Sequence, residues 1–245
     1  KMDLLFKVKY NSFHSDMKNK KNRLNLETTT LQSVFFVTNV NLLDKLDVAN
    51  KVKSGLGILD GDPTVLPVPN DAPLEIPRII LTSKNKVFSC NISSERIDLI
   101  INKSKVTESN IDLEEEILKK SEILSNLIRK SLNWSVHRLS LISQFKYKPE
   151  VGVLNFMKNL LSEQFGADSA ELEVHRLKHI KVGNYKSNQW VRFLSRNGGA
   201  PNEFIHILSD VNTLKTEKYS FTEDGSRLFF SSALIITKNT LKEIL

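Results

Sequence analysis

Residues 78–102 read RIILTSKNKVFSCNISSERIDLIIN. RIILTS and KVFSCNIS are apolar-polar runs joined at Lys84-Asn85, and RIDLIIN follows. Short β-branched and aromatic runs broken by turn residues predict an antiparallel meander. The stretch also sets two arginines, Arg78 and Arg96, among apolar residues. Arg96 stands two residues before Asp98, and residues i and i+2 share one face of a strand, so that pair can form an ion pair locally. Arg78 follows Pro77, which brings its backbone into the strand from a restricted turn. Two readings follow. Either each arginine pairs with a carboxylate such as Asp98 or Glu75 and holds register, or both join Arg138 in lining a sheet that binds phosphate or an acidic partner.

Similar runs recur on either side. LLFKVKY (4–10) and TTLQSVFFVTNV (29–40) read as strands, with a long lysine-rich connection between them. Apolar spacing at Leu42, Leu43, Leu46, Ala49 and Val52 predicts a helix begun by Asn41 and stopped by Gly55. The proline-dense segment ILDGDPTVLPVPNDAPLEIP (58–77) predicts an extended arm, because proline removes a donor and fixes φ. Residues 111–132 carry a broad apolar stripe and predict a helix, with the glutamates near its positive end. A second strand–helix–strands series follows: 134–147 as strand, 151–166 as helix, then a meander through ELEVHRLKHIKV, WVRFLSR and EFIHILSDVNT with a turn at Gly198-Gly199. Residues 226–243 fit a helix by spacing and a strand by the run ALIIT, and the persistent spacing favours helix.

The expected fold is α+β: two related halves, each a meandering antiparallel sheet with a helix packed on one face. The halves are residues 1–110 and 133–245, connected by a helix at 111–132, with a single compact domain built from both as the alternative.

Composition bounds the function. The chain has 245 residues, of which 40% are hydrophobic and 26% charged, as in globular proteins. Cys90 is the only cysteine, which excludes an intrachain disulfide and a cysteine-based zinc site. No apolar run approaches the ~20 residues of a membrane span. The opening residues lack a signal-peptide pattern, so a cytoplasmic location is expected. The net charge of +7 raises nucleic-acid binding. Lysine dominates that charge and is scattered, apart from MKNKKNR (17–23), so binding of this kind is expected to be weak and indifferent to sequence.

No catalytic, nucleotide or metal motif stands out. His175 and His179 share a metal only if their segment is helical; on a strand they lie about 13 Å apart. The glycine pairs lack the spacing and lysine of a phosphate loop. No enzyme activity, metal or cofactor is therefore expected.

The pattern formed by Ala72, Pro73, Glu75, Ile76, Pro77, Arg78, Ile79, Leu81 and Ser83, then Ile92, Ser93, Arg96 and Asp98, resembles a sporadically distributed family of uncharacterised bacterial proteins. Arg138-Leu139-x-Leu141 and Asp210-Val211-Asn212-Thr213 extend that resemblance. It implies a mobile-element or phage-defence setting and transfers no activity. The leading expectation is a non-catalytic interaction or sensor protein, partnered with a defence effector or with a second copy of itself. The alternative is a sequence-non-specific nucleic-acid-binding module, with Arg78, Arg96 and Arg138 as the candidate binding residues in either case.

Overall fold

In the computed structural model the residues described are 25–69, 71–103, 112–160, 171–196 and 203–245. The expected strand at 4–10, the lysine-rich connection, the stop at Gly166 and the turn at Gly198-Gly199 lie outside them. Nine strands form one antiparallel sheet: β1 (Leu26–Thr38), β2 (Thr64–Val65), β3 (Ile79–Thr82), β4 (Phe88–Ile92), β5 (Arg96–Asn102), β6 (Ser135–Tyr147), β7 (Glu171–Val182), β8 (Tyr185–Arg196) and β9 (Ile205–Thr213). Their order across the sheet is β2-β3-β4-β5-β1-β6-β9-β8-β7. The fold is α+β as expected. The strands assigned to two sheets, however, join into one, because β1 and β6 pair along nearly their whole length. Both strands have 13 residues, and the pair is flanked by four strands on one side and three on the other.

Four helices accompany the sheet: α1 (Lys45–Leu56), α2 (Leu113–Asn126, continuing as a π turn over Leu127–Ser131), α3 (Val153–Leu160) and α4 (Glu223–Ile244). Alternation along the strands explains where they pack. Leu31, Ser33, Phe35 and Val37 of β1 and Leu139, Leu141 and Ser143 of β6 are buried on the helix side. Phe35 meets Phe230 of α4 edge-on at 5.1 Å, and Ser121 of α2 donates to Ser33 at 2.7 Å. Phe156 of α3 stacks edge-on against Tyr147 at 5.3 Å, in a smaller apolar cluster that also takes in Leu241 of α4. Among the described residues, all four helices therefore cover one face, and none lies on the opposite face.

Local chemistry places the helix ends. The first helix starts later than expected: Asp44, not Asn41, is its cap and accepts from the Asp47 amide at 2.9 Å. Asn41 instead accepts from the Leu43 amide at 3.0 Å and closes a separate turn. Gly55 lies inside the helix, where a Cβ would meet the Leu127 side chain at 2.5 Å; Gly57 ends it with φ +67°. α2 is capped by Asp112, which accepts from the amides of Glu114 and Glu115. The ambiguous last segment is helical, capped by Thr222, with Phe229, Phe230, Ala233, Leu234, Thr237 and Leu241 buried along one stripe. The proline-rich arm is extended and adds only the two-residue edge strand β2.

Cys90 of β4 is fully buried on the helix side. Burial pushes its thiol well above the ordinary range, and Asp98 acts in the same direction. A thiol reagent at pH 8 is expected to leave the native protein unlabelled and to label one equivalent once denaturant unfolds it. Prompt native-state labelling, followed by mass spectrometry, would place this thiol at the surface instead.

Candidate functional site

Two arginines flank one aromatic ring on the central strands of the helix-free face, toward one end of β1. In register, Phe36 of β1 stands opposite Arg96 of β5 on one side and Arg138 of β6 on the other. Arg138 Cζ lies 4.4 Å from the Phe36 ring centroid and Arg96 Cζ lies 5.7 Å from it. Both are close enough for the ring's negative face to attract them.

Their partners differ in charge. Arg96 holds Asp98 through Nε to both carboxylate oxygens at 3.1 Å and through Nη2 to Oδ1 at 2.6 Å. Gln32 Nε2 donates to the same Oδ1 at 3.1 Å from β1. Arg138 donates to neutral acceptors, Nε to the Thr213 carbonyl at 3.1 Å and Nη2 to Asn212 Oδ1 at 3.2 Å. Among the described residues no carboxylate forms an ion pair with it. Burial lowers the Arg138 pKa from its ordinary value; Arg96 lowers it further and Asp210 opposes both. Asp210 is itself engaged by the Ser140 hydroxyl at 2.6 Å. The site thus brings two guanidiniums together with two carboxylates: Asp98 is in direct contact with Arg96, whereas Asp210 acts on Arg138 without a direct ion pair.

Arg78 is drawn into the architecture. Ile79 is fully buried on the helix side, so alternation puts Arg78 on the opposite face, at the end of the sheet that holds Arg96. Its guanidinium turns into the proline-rich arm, with the carbonyls of Ala72 at 3.4 Å and Ile76 at 3.5 Å, and only 6% of the residue is exposed. The arginine expected to pair with Glu75 pins the arm through backbone carbonyls. The geometry therefore divides the three candidates. Arg78 anchors a loop through backbone carbonyls, Arg96 fixes a carboxylate, and Arg138 also has neutral acceptors but holds them beside the Phe36 ring.

Residues not singled out from the sequence complete the face. Phe36, Gln32, Ser140, Asn212 and Asn188 line its middle. Trp190 of β8 lies 39% exposed opposite Leu177, itself 44% exposed. Period-two alternation in FFVT and NQWV held the signal for Phe36 and Trp190. Which face those residues took depended on where the helices packed. The histidines of β7 lie on a strand: His175 pairs with Glu173 at 2.9 Å and His179 with Asn188 at 2.8 Å. Among the described residues no group of three or more His, Cys, Asp or Glu could hold a metal ion. None of their helices is long and apolar enough to cross a membrane.

Comparison with protein families and with curated proteins finds no match to this chain. Among solved structures, it is similar to the rolling circle replication initiator protein from Geobacillus stearothermophilus. The two are 13% identical over 87% of this chain and 80% of the other, with a TM-score of 0.33, too slight a likeness to bear on function.

Arg96→Ala would strand Asp98, which is only 7% exposed, with Gln32 as its remaining partner. A loss of about 3 kcal/mol is expected, read as a drop of about 6–12 °C in melting temperature. Arg138→Ala strands no carboxylate and should cost distinctly less. Equal losses in a denaturant series of the two variants would contradict this division of roles.

Proposed function

We propose that the helix-free face of the sheet binds single-stranded nucleic acid and that the protein is a non-catalytic binding module. The observation that carries this reading is the Arg96–Phe36–Arg138 cluster. A half-buried guanidinium with only neutral acceptors suits a phosphate, and the ring it lies over gives a neighbouring base a surface to stack on. The surrounding amides and hydroxyls offer hydrogen bonds to base edges without favouring one base. A duplex keeps its bases stacked internally, so a half-exposed ring on an open sheet favours unpaired strands.

The same reading includes a chain built from two related halves. The first runs β1-α1-β3-β4-β5-α2 and the second β6-α3-β7-β8-β9-α4. Within the sheet, β3-β4-β5-β1 is answered by β7-β8-β9-β6 about an axis between β1 and β6. Two halves meeting edge to edge give one broad, continuous face for a strand to cross.

A protein partner, including a defence effector or a second copy of the chain, is the competing proposal. β7 favours it, being a 12-residue edge strand with most of its residues exposed. Arg176, Lys178 and Lys181 along that edge oppose it, since edge lysines and arginines discourage strand pairing.

Fluorescence anisotropy with labelled oligonucleotides tests the proposal. Binding is expected to be indifferent to base sequence. Its log–log dependence on salt should have a slope of about −2 to −3, matching three or four phosphates at about 0.7 each. Phe36→Ala should weaken binding by about 1–3 kcal/mol. Binding insensitive to salt, or unaltered in Phe36→Ala and Arg138→Ala, would shift the function to a protein partner, which a pull-down from the native host would then identify.

A further inference from the structure

We infer that the helix-free face carries a second cation–aromatic station, around Lys146, Phe204 and His206, and that one nucleic-acid strand spans both stations. The inference rests on the binding role proposed for this face and extends it to a second site.

The station is built much as the first is. Lys146 of β6 alternates onto the helix-free face, and its Nζ lies 4.6 Å from the Phe204 ring centroid. Phe204 packs edge-on against His206 at 4.9 Å. Beside them a recess of about 230 Å³ opens, with Gln144, Arg192 and His206 supplying polar groups and Leu194 and Leu208 an apolar lining. A flat base fits such a mixture, with its ring on the apolar lining and its edge at the amide and imidazole. Arg192 lies in an ion pair with Glu173. Among the described residues no carboxylate forms an ion pair with Lys146; Glu27, opposite it in register, pairs with Lys103 at 3.7 Å.

The ladders relate the two stations. The pair Phe36–Arg96 joins β1 to β5, and the pair Lys146–His206 joins β6 to β9. One offset of 110 residues carries Phe36 to Lys146 and Arg96 to His206, and it also carries the helix cap Asp112 to Thr222. The stations thus occupy equivalent places at opposite ends of the face. Eight residues of β6 separate Arg138 from Lys146, about 26 Å at about 3.3 Å per residue. An extended single strand spaces its phosphates at about twice the 3.4 Å of a duplex strand, so about four nucleotides bridge the gap.

The test measures affinity against length for the full chain, using fluorescein-labelled oligo(dT) and oligo(U) of about three and about twelve nucleotides. The longer probe is expected to bind at least about ten-fold tighter, and Lys146→Ala and Phe204→Ala should each remove most of that advantage. Phe204→Leu keeps the apolar volume without the ring and should behave like Phe204→Ala, with melting curves confirming that each variant folds. The two oligonucleotide series distinguish DNA from RNA as the source of the strand. Wild-type protein that binds both lengths alike, or folded variants that keep the length advantage, would overturn the second station and leave the first intact. Failure of the wild type to bind either probe would remove the binding role itself and the inference with it.

Discussion

The ladder between β1 and β6 is the constraint on which the rest of the molecule depends. Pairing two 13-residue strands at the centre commits every neighbouring strand to one sheet and one alternation of faces. A slip of one residue would send Phe35, Leu139 and Leu141 to the helix-free side and bring Phe36 and Arg138 into the core. The register shifts beside Thr29 and His137 show where the ladder accommodates an extra residue. Both lie near strand ends, and the second directly abuts the Phe36–Arg138 pair.

The two faces of this sheet obey different physics. On the helix side, apolar burial supplies the driving force, and buried polar side chains pair across the layers: Ser33 with Ser121, Ser209 with Thr237, and Gln189 with Thr240. These links join strand to helix at fixed points and make sliding of one layer over the other costly. On the other face, partial exposure lets charge persist. Asp98 stays ion-paired because Arg96 and Gln32 converge on it, and Arg138 stays charged beside an aromatic ring. A face so equipped can receive an anionic ligand without rearranging the core, because the alternation separates the two sets of side chains.

Much of the organisation was legible in local patterns. The 78–102 meander, the helices read at 111–132 and 226–243 and the strands read at 29–40 and 134–147 followed from periodicity and turns. The Arg96–Asp98 pair followed from the two-residue repeat of a strand. Less legible was the start of α1, where Asn41 and Asp44 both have cap chemistry and only the chain's path through the core selected Asp44. The role of Arg78 was equally hidden, because its acceptors are backbone carbonyls that any sequence supplies.

The sequence by itself determined the types of element, their order and the local pairing of residues a few positions apart, since these depend on near neighbours. Only the tertiary structure decided that the strands form one sheet, that all four helices cover the same face, and that Phe36 stands between Arg96 and Arg138. Those residues are 60 and 102 positions from Phe36 along the chain. Their meeting depends on β1 pairing with β5 and β6 at once, a choice governed by burial of the whole apolar face and visible in no short stretch of residues.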